Sequence, residues 1–127
     1  MKRIVIYSRK TNEGDNTEKQ IEICKEYIHR NLCNAEQYDV SVESTSLENL
    51  MKTEDTNPYD CIVVDKLNRI CKNVIDFSNL MEKLNSAGTE FISVYENIDT
   101  STPIGKTIIN IAAVFAALEL ENTIKHE

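Results

Sequence analysis

Three short apolar segments constrain the fold of this chain more than any other feature of its sequence. They read RIVIYS over residues 3–8, YDCIVVD over residues 59–65 and FISVY over residues 91–95. Short runs rich in β-branched and aromatic residues, bounded by polar ones, are typical of buried β-strands. Because helical patterns separate them, we expect an α/β fold with a mainly parallel sheet and helices on both faces.

Apolar residues that recur every three or four positions predict the helices between these strands. Asn16 or Thr17 can cap the first helix, and Thr17 with Gln20 fits the capping-box pattern. The apolar positions of this helix are Ile21, Cys24, Tyr27, Ile28 and Leu32. The second ends before Gly88, which suits a left-handed cap; its apolar positions are Val74, Phe77, Leu80, Met81 and Leu84. A weak alternation over residues 37–43 predicts a further strand, and residues 46–52 predict a short helix.

A long C-terminal helix is predicted from residue 104 to residue 127, with Thr102 as its N-cap and Pro103 at its first position. Twelve of the seventeen residues from 104 to 120 are apolar, which is more than one stripe against a sheet requires. We expect a second copy of the chain to cover the excess, although burial within the chain's own fold is the alternative. The predicted interface consists of Ile104, Ile108, Ile111, Ala112, Phe115 and Leu118.

The chain has 127 residues, enough for one domain with one core. We divide it into an α/β core over residues 1–102 and an oligomerisation helix over residues 103–127. The net charge of −7 argues against autonomous DNA binding, and no apolar run has the length of a membrane span. The four cysteines form no CxxC pair, so we interpret Cys24, Cys33, Cys61 and Cys71 as reduced thiols of a cytoplasmic protein rather than metal ligands or disulfides.

Polar residues follow two of the predicted strands at the point where each strand ends. In a parallel sheet the carboxyl ends of the strands lie at one edge, where ligands and chemistry collect. Ser8 and Arg9 end one strand, and Asp65 and Lys66 end another. We therefore expect a local anion site at this edge, despite the acidic total charge, built from Arg9, Thr11, Lys66, Arg69 and Lys72.

Three segments in this order resemble the catalytic domain of the resolvase/invertase serine recombinases, especially the large serine integrases and transposon recombinases. They are IYSRKT, YDCIVVDKLNRICKN and ENIDTSTPIGKTIINIAAVFAALE, and the resemblance extends from residue 2 to about residue 125. It implies a domain that pairs along its long helix into a dimer and works as a tetramer when active. It also implies a serine that becomes linked to a DNA 5′ phosphate without metal or cofactor, and a DNA-binding region that lies outside this chain.

Three residues match the active-site pattern that the resemblance implies. Arg9 takes the place of the first active-site arginine, and Arg69 takes that of the arginine in the L-D-R-x-x-R motif. Gln20 takes the place of the glutamine on the first helix, although helix capping explains it equally well. Cations are needed at such a site because they stabilise the charge on the transferring phosphoryl group.

Other positions depart from the pattern. The nucleophile position holds Thr11, whose methyl group restricts its side-chain rotation, and Ser8 is out of register. Asn68 replaces the motif aspartate, and Lys72 replaces the motif's last arginine, which removes a bidentate fork. The Gly-rich loop and its arginine, expected around residues 42–50, are absent, and Leu120 stands where an arginine is usual.

Three hypotheses follow from the sequence. The first is a recombinase homologue with a degenerate active site, whose remaining role is dimerisation or modulation of an active recombinase. The second is an active recombinase domain that uses Thr11, with its DNA-binding region beyond Glu127. The third is a small phosphate- or nucleotide-binding domain of flavodoxin-like topology, which the lack of a Gly-rich phosphate loop disfavours.

Overall fold

The computed structural model describes residues 2–9, 16–31, 38–43 and 59–125. Its strands are β1 (Lys2–Tyr7), β2 (Tyr38–Glu43), β3 (Cys61–Val64), β4 (Glu90–Ser93) and β5 (Ile98–Asp99). Its α-helices are α1 (Thr17–Asn31), α2 (Val74–Ala87) and α3 (Pro103–Lys125), and a 3-10 turn covers Leu67–Arg69. The helix predicted over residues 46–52 lies outside the described residues.

The strands form one sheet in the order β2-β1-β3-β4-β5. The first four are parallel, and β5 pairs antiparallel with β4. The prediction of a mainly parallel sheet is therefore confirmed. The sequence did not predict β5, because two residues are too short to show a period.

Alternate side chains of the central strands enter two different cores. On one face Val5, Tyr7, Ile62 and Val64 pack with residues of α2, and α3 contributes Ile108, Ile109 and Ala112. On the other face Ile4, Ile6, Val63 and Ile92 pack with Cys24 and Ile28 of α1. The predicted placement of helices on both faces of the sheet is confirmed.

The predicted caps at Asn16, Gly88 and Thr102 are confirmed, and the predicted capping box is not. Gly88 has a φ of 72° and ends α2 in the left-handed region, and the Thr102 hydroxyl accepts the Gly105 N–H at 3.0 Å at the start of α3. Asn16 caps α1 by accepting the Lys19 N–H at 3.2 Å. The predicted capping box between Thr17 and Gln20 is wrong, because the Gln20 side chain makes different contacts, described below.

Two buried thiols lie in the cores. Cys24 and Cys71 are free, and burial raises the pKa of each to about 12, so both are protonated at neutral pH. Cys61 is also free, and Cys33 lies outside the described residues. Within the described ranges no group of three His, Cys, Asp or Glu residues could hold a metal ion. No helix in that part of the chain is long and apolar enough to span a bilayer.

Candidate active site

The sheet register brings the two predicted halves of the site to the same edge. β1 and β3 are adjacent and parallel, with Ile6 opposite Val63. Arg9 lies three residues after Ile6, and Lys66 lies three residues after Val63. Both residues are therefore beyond the carboxyl ends of their strands. The predicted convergence of residues around 9 and 66 therefore follows from the strand pairing.

Gln20 connects the start of α1 to the backbone of Arg9. Its side chain is buried, its carbonyl oxygen accepts the Arg9 N–H at 3.0 Å, and its amide donates to the Arg9 carbonyl at 3.0 Å. One side chain thus provides hydrogen-bond partners for both backbone polar groups of a residue just after β1. The Arg9 side chain itself is exposed. Gln20 therefore fixes the backbone that presents Arg9, which explains a glutamine here better than capping does.

We expect Gln20→Ala to lower the free energy of unfolding by about 1–3 kcal/mol, because it leaves two backbone groups of Arg9 without their partner. Urea denaturation measures this change. Glu22→Ala on the exposed side of α1 is the matched control and should change stability by less than about 0.5 kcal/mol. Equal effects of the two substitutions would contradict the contact seen between Gln20 and Arg9.

Arg69 is buried and paired with Asp65. Its Nε donates to Asp65 Oδ1 at 3.0 Å, and its Nη2 donates to Asp65 Oδ2 at 3.3 Å. The two side chains are only 7% and 4% exposed. The sequence predicts Arg69 as a cation of the site, and the structure shows that a carboxylate of the same segment balances its charge.

A second carboxylate lies next to the 3-10 turn. One oxygen of Glu96 accepts the Leu67 N–H at 3.1 Å and the Ser93 hydroxyl. The Lys66 ammonium lies 5.2 Å from the centre of the Tyr95 ring, within the range of a cation–π contact. The turn after β4 therefore positions the segment that carries Lys66 and Arg69.

The other motif positions are at the surface. Asn68 and Lys72 are exposed. The Lys72 N–H donates to the Asp76 carboxylate at 3.1 Å, and Asn73 accepts the Asp76 N–H at 2.9 Å as the N-cap of α2. Thr11 lies outside the described residues. So does most of the segment 42–50, where the family pattern has a Gly-rich loop with an arginine. The structure thus brings Arg9, Gln20, Lys66 and Arg69 to one edge of the sheet.

The segment DTSTP forms the connection between β5 and α3. Asp99 accepts the N–H of Ser101 at 2.9 Å through its carboxylate, and its carbonyl accepts the Thr102 hydroxyl at 2.7 Å. The Thr100 hydroxyl is buried and accepts the Phe91 N–H at 2.8 Å. Each hydroxyl or carboxylate of this segment therefore has a structural partner, and together they set the direction in which α3 leaves the sheet.

The apolar surface of α3 divides into two sides. Ile108 and Ala112, which the sequence assigns to an interface between copies, pack against the chain's own core. Ile104, Ile111, Val114, Phe115 and Leu118 are exposed, with Phe115 56% accessible. The excess of apolar residues predicted for this helix is therefore present, on a surface that includes Val114 and leaves out Ile108 and Ala112.

Comparison with known proteins identifies the family. Residues 4–127 match the family model described as the N-terminal domain of resolvase. The chain belongs to this family. The prediction made from the three sequence segments is confirmed.

Named relatives of this resolvase-type domain include a Tn917 resolvase of Enterococcus faecalis, 29% identical over 89% of the chain. A Tn552 resolvase of Staphylococcus aureus is 40% identical over 47% of the chain. The domain spans 60% of the first relative's length and 32% of the second's.

Two solved structures share the fold. The N-terminal catalytic domain of TP901-1 integrase superposes with a TM-score of 0.77 at 24% identity, over 94% of this chain and 98% of that one. A resolvase family site-specific recombinase from Streptococcus pneumoniae gives 0.76 at 20% identity, over 99% and 93%. At identities of 24% and 20%, these two similarities are evidence for the fold only, and not for an activity.

Sequence reasoning missed two residues of the site, Asp65 and Glu96. Asp65 stands four residues before Arg69, a spacing at which opposite charges meet on a helix. That spacing could have revealed the pair, but the segment reads as a strand end rather than as a helix. Glu96 is 29 residues from Leu67, and no local pattern connects the two.

Proposed function

We propose that this resolvase-type domain is a recombinase homologue with a degenerate active site and little or no strand-cleavage activity. Its role would be dimerisation with itself, or modulation of an active recombinase, in the cytoplasm. The single observation that carries the proposal is the Asp65–Arg69 pair, because it balances the charge of the most buried cation of the site. The substitutions at Thr11, Asn68 and Lys72 point the same way.

A phosphoryl-transfer site depends on cations directed at the developing charge. Removing one such preorganised contact commonly lowers the rate by on the order of 10²–10³-fold. Arg69 donates two of its N–H groups to Asp65, and Lys72 lacks the fork with which arginine pairs phosphate oxygens. Effects within one site are not additive, but these changes all weaken the same interaction.

The test is incubation of the protein with supercoiled DNA that carries recombination sites. We expect no covalent protein–DNA adduct, because the nucleophile and two charged positions differ from the family pattern. Denaturing gels that separate free from DNA-linked protein measure the adduct. An adduct that disappears in Thr11→Ala would refute the degenerate-site proposal.

The second candidate function is an active recombinase domain that uses Thr11 and acts as a tetramer, with its DNA-binding region outside this chain. It is favoured by Arg9, which is exposed on a backbone fixed by Gln20. Thr11→Ser together with Asn68→Asp should then raise cleavage measurably. A doubly substituted protein that cleaves no better than the original would count against this candidate.

We also propose that residues 103–127 are an oligomerisation helix and that the exposed apolar side chains of α3 form a homodimer interface. Leaving Ile111, Val114, Phe115 and Leu118 in water is unfavourable by roughly 25 cal/mol for each Å² of apolar surface. A second copy of the same helix would cover this surface with groups of the same kind.

We expect Phe115→Asp to shift the protein from dimer to monomer at micromolar concentration, because a carboxylate would be buried without a partner in the interface. Light scattering coupled to gel filtration measures the mass. Asn110→Asp, on an exposed polar position of the same helix, is the control and should leave the mass unchanged. A wild-type monomer under the same conditions would exclude the interface.

A further inference from the structure

A carboxylate contacts Arg69 from a position that the family motif does not predict. The motif aspartate is replaced by Asn68, which is exposed. Asp65, three residues earlier, accepts two N–H groups of Arg69. We propose that Asp65 is the positioning residue of Arg69: it holds the guanidinium from a position other than that of the motif carboxylate and occupies the edge that a phosphate would need. This inference rests on the proposed function only in assigning Arg69 to the candidate site.

The backbone around Asp65 supports such a role. Asp65 directly follows β3, and its carbonyl accepts the Tyr95 N–H at 2.8 Å, which continues the pairing of β3 with β4 beyond the ends of both strands. Arg69 ends the 3-10 turn, and its N–H donates to the Lys66 carbonyl at 3.2 Å. The 3-10 turn follows Asp65 in the sequence. It brings the side chains of Asp65 and Arg69 into contact.

Because the pair is buried, it affects which anions can reach the Arg69 guanidinium. A buried guanidinium is strongly unfavourable without a partner, whereas a carboxylate in hydrogen-bond contact stabilises it. The Nε–Nη2 edge that Asp65 occupies is one that arginine uses to pair carboxylate or phosphate bidentately. A phosphate approaching that edge would have to displace Asp65. Asp65 thus fixes Arg69 and restricts which anions reach it.

A dependence between positions 65 and 68 follows. Asn68→Asp alone would place a second carboxylate near a guanidinium that already has one, so it should not stabilise the protein. In an Asp65→Asn background the same substitution would supply the missing charge. The effect of Asn68→Asp is therefore expected to reverse its sign with the residue at position 65.

The test combines urea denaturation with NMR of the arginine Nε–H groups for the full 127-residue chain. Asp65→Asn should raise the unfolding equilibrium constant by on the order of 10²-fold and remove the slowly exchanging Arg69 resonance. The double substitution Asp65→Asn/Asn68→Asp should recover at least about tenfold of that change and restore the resonance. Asp60→Asn is the matched control, since Asp60 is exposed and accepts the Arg3 N–H elsewhere on the sheet.

Two results would overturn the inference. One is an Arg69 resonance that is unchanged in Asp65→Asn; the other is a double substitution no better than the single one. If Asp65→Asn does not fold, Asp65→Glu, which keeps the charge, must retain the Arg69 resonance for the inference to stand. None of these measurements involves DNA cleavage, so the proposed function can fail while the role of Asp65 holds, and the reverse.

Discussion

Arg69→Met is expected to lower the free energy of unfolding by about 3–5 kcal/mol, because it leaves the Asp65 carboxylate buried without its partner. The Asp65 side chain is only 4% exposed, so water cannot replace the two lost hydrogen bonds. Urea denaturation at neutral pH measures the change. A methionine retains most of the volume of the arginine stem, so the loss reports on charge more than on packing.

Arg30→Met provides the control for this prediction. Arg30 pairs with Glu26 at 2.6 Å, but both side chains are well exposed on α1. Exposed pairs contribute little, so we expect a change below about 1 kcal/mol. A double substitution Asp65→Leu/Arg69→Met should be more stable than Arg69→Met alone, because it removes the unpaired charge. If Arg69→Met behaves like Arg30→Met, the buried pair does not stabilise the fold.

Gly105→Ala is expected to destabilise the domain by about 3 kcal/mol or more, although alanine normally favours a helix by about 1 kcal/mol. A Cβ at position 105 would lie 1.8 Å from the Asp99 carbonyl oxygen and 3.1 Å from the Thr100 Cα. Both are backbone atoms, so relief requires that the first turn of α3 move away from β5. Thermal or urea unfolding measures the loss.

Gly88→Ala separates this steric effect from conformational strain. Gly88 has a φ of +72°, and nothing lies within 4 Å of an added Cβ. The expected loss is about 1–2 kcal/mol, from the left-handed conformation alone. Because the first turn of α3 directs the whole helix, Gly105→Ala should also disturb the proposed dimer, whereas Gly88→Ala should not. Equal losses at the two glycines would contradict the close approach of α3 to Asp99.

The architecture could be predicted from the sequence because strand and helix periods are local. The strand segments near residues 4, 62 and 92 and the αL position of Gly88 follow from neighbouring residues alone. β5 could not be predicted in this way, since Ile98 and Asp99 pair with β4 by virtue of a turn rather than a pattern. Asn97, with a φ of 56°, lies within that turn.

The sequence predicts the cations and the glutamine of the candidate site, but not the carboxylates of Asp65 and Glu96 or the contacts that these groups make. The motif places Arg9, Gln20 and Arg69 together, but the bonds of Gln20 to the Arg9 backbone connect residues 11 positions apart. A capping box is a local explanation, and it was wrong because a longer-range partner competes for the same side chain. The charge balance of Arg69 likewise depends on the 3-10 turn, which the sequence pattern does not reveal.

The interface prediction shows the same limit. An apolar run identifies α3 as a helix with two apolar sides, but it does not say which side contacts the core. Ile108 and Ala112 pack against the core of their own chain, whereas Val114 is exposed. The start of α3 is held by the Phe91 N–H, which donates to the Thr100 hydroxyl, and by the Thr102 hydroxyl, which donates to the Asp99 carbonyl. The apolar pattern of the helix does not reveal these contacts.

We propose that the resolvase-type fold is retained while the site no longer cleaves DNA. The most direct measurement joins this domain to the rest of a resolvase relative, so that a negative result is informative. Residues 1–127 would replace the matching domain of the Tn917 resolvase, and covalent protein–DNA adduct would be measured on supercoiled DNA bearing that protein's site. We predict no adduct from the chimera under conditions in which the unaltered resolvase gives one. An adduct that depends on Thr11 would contradict the claim.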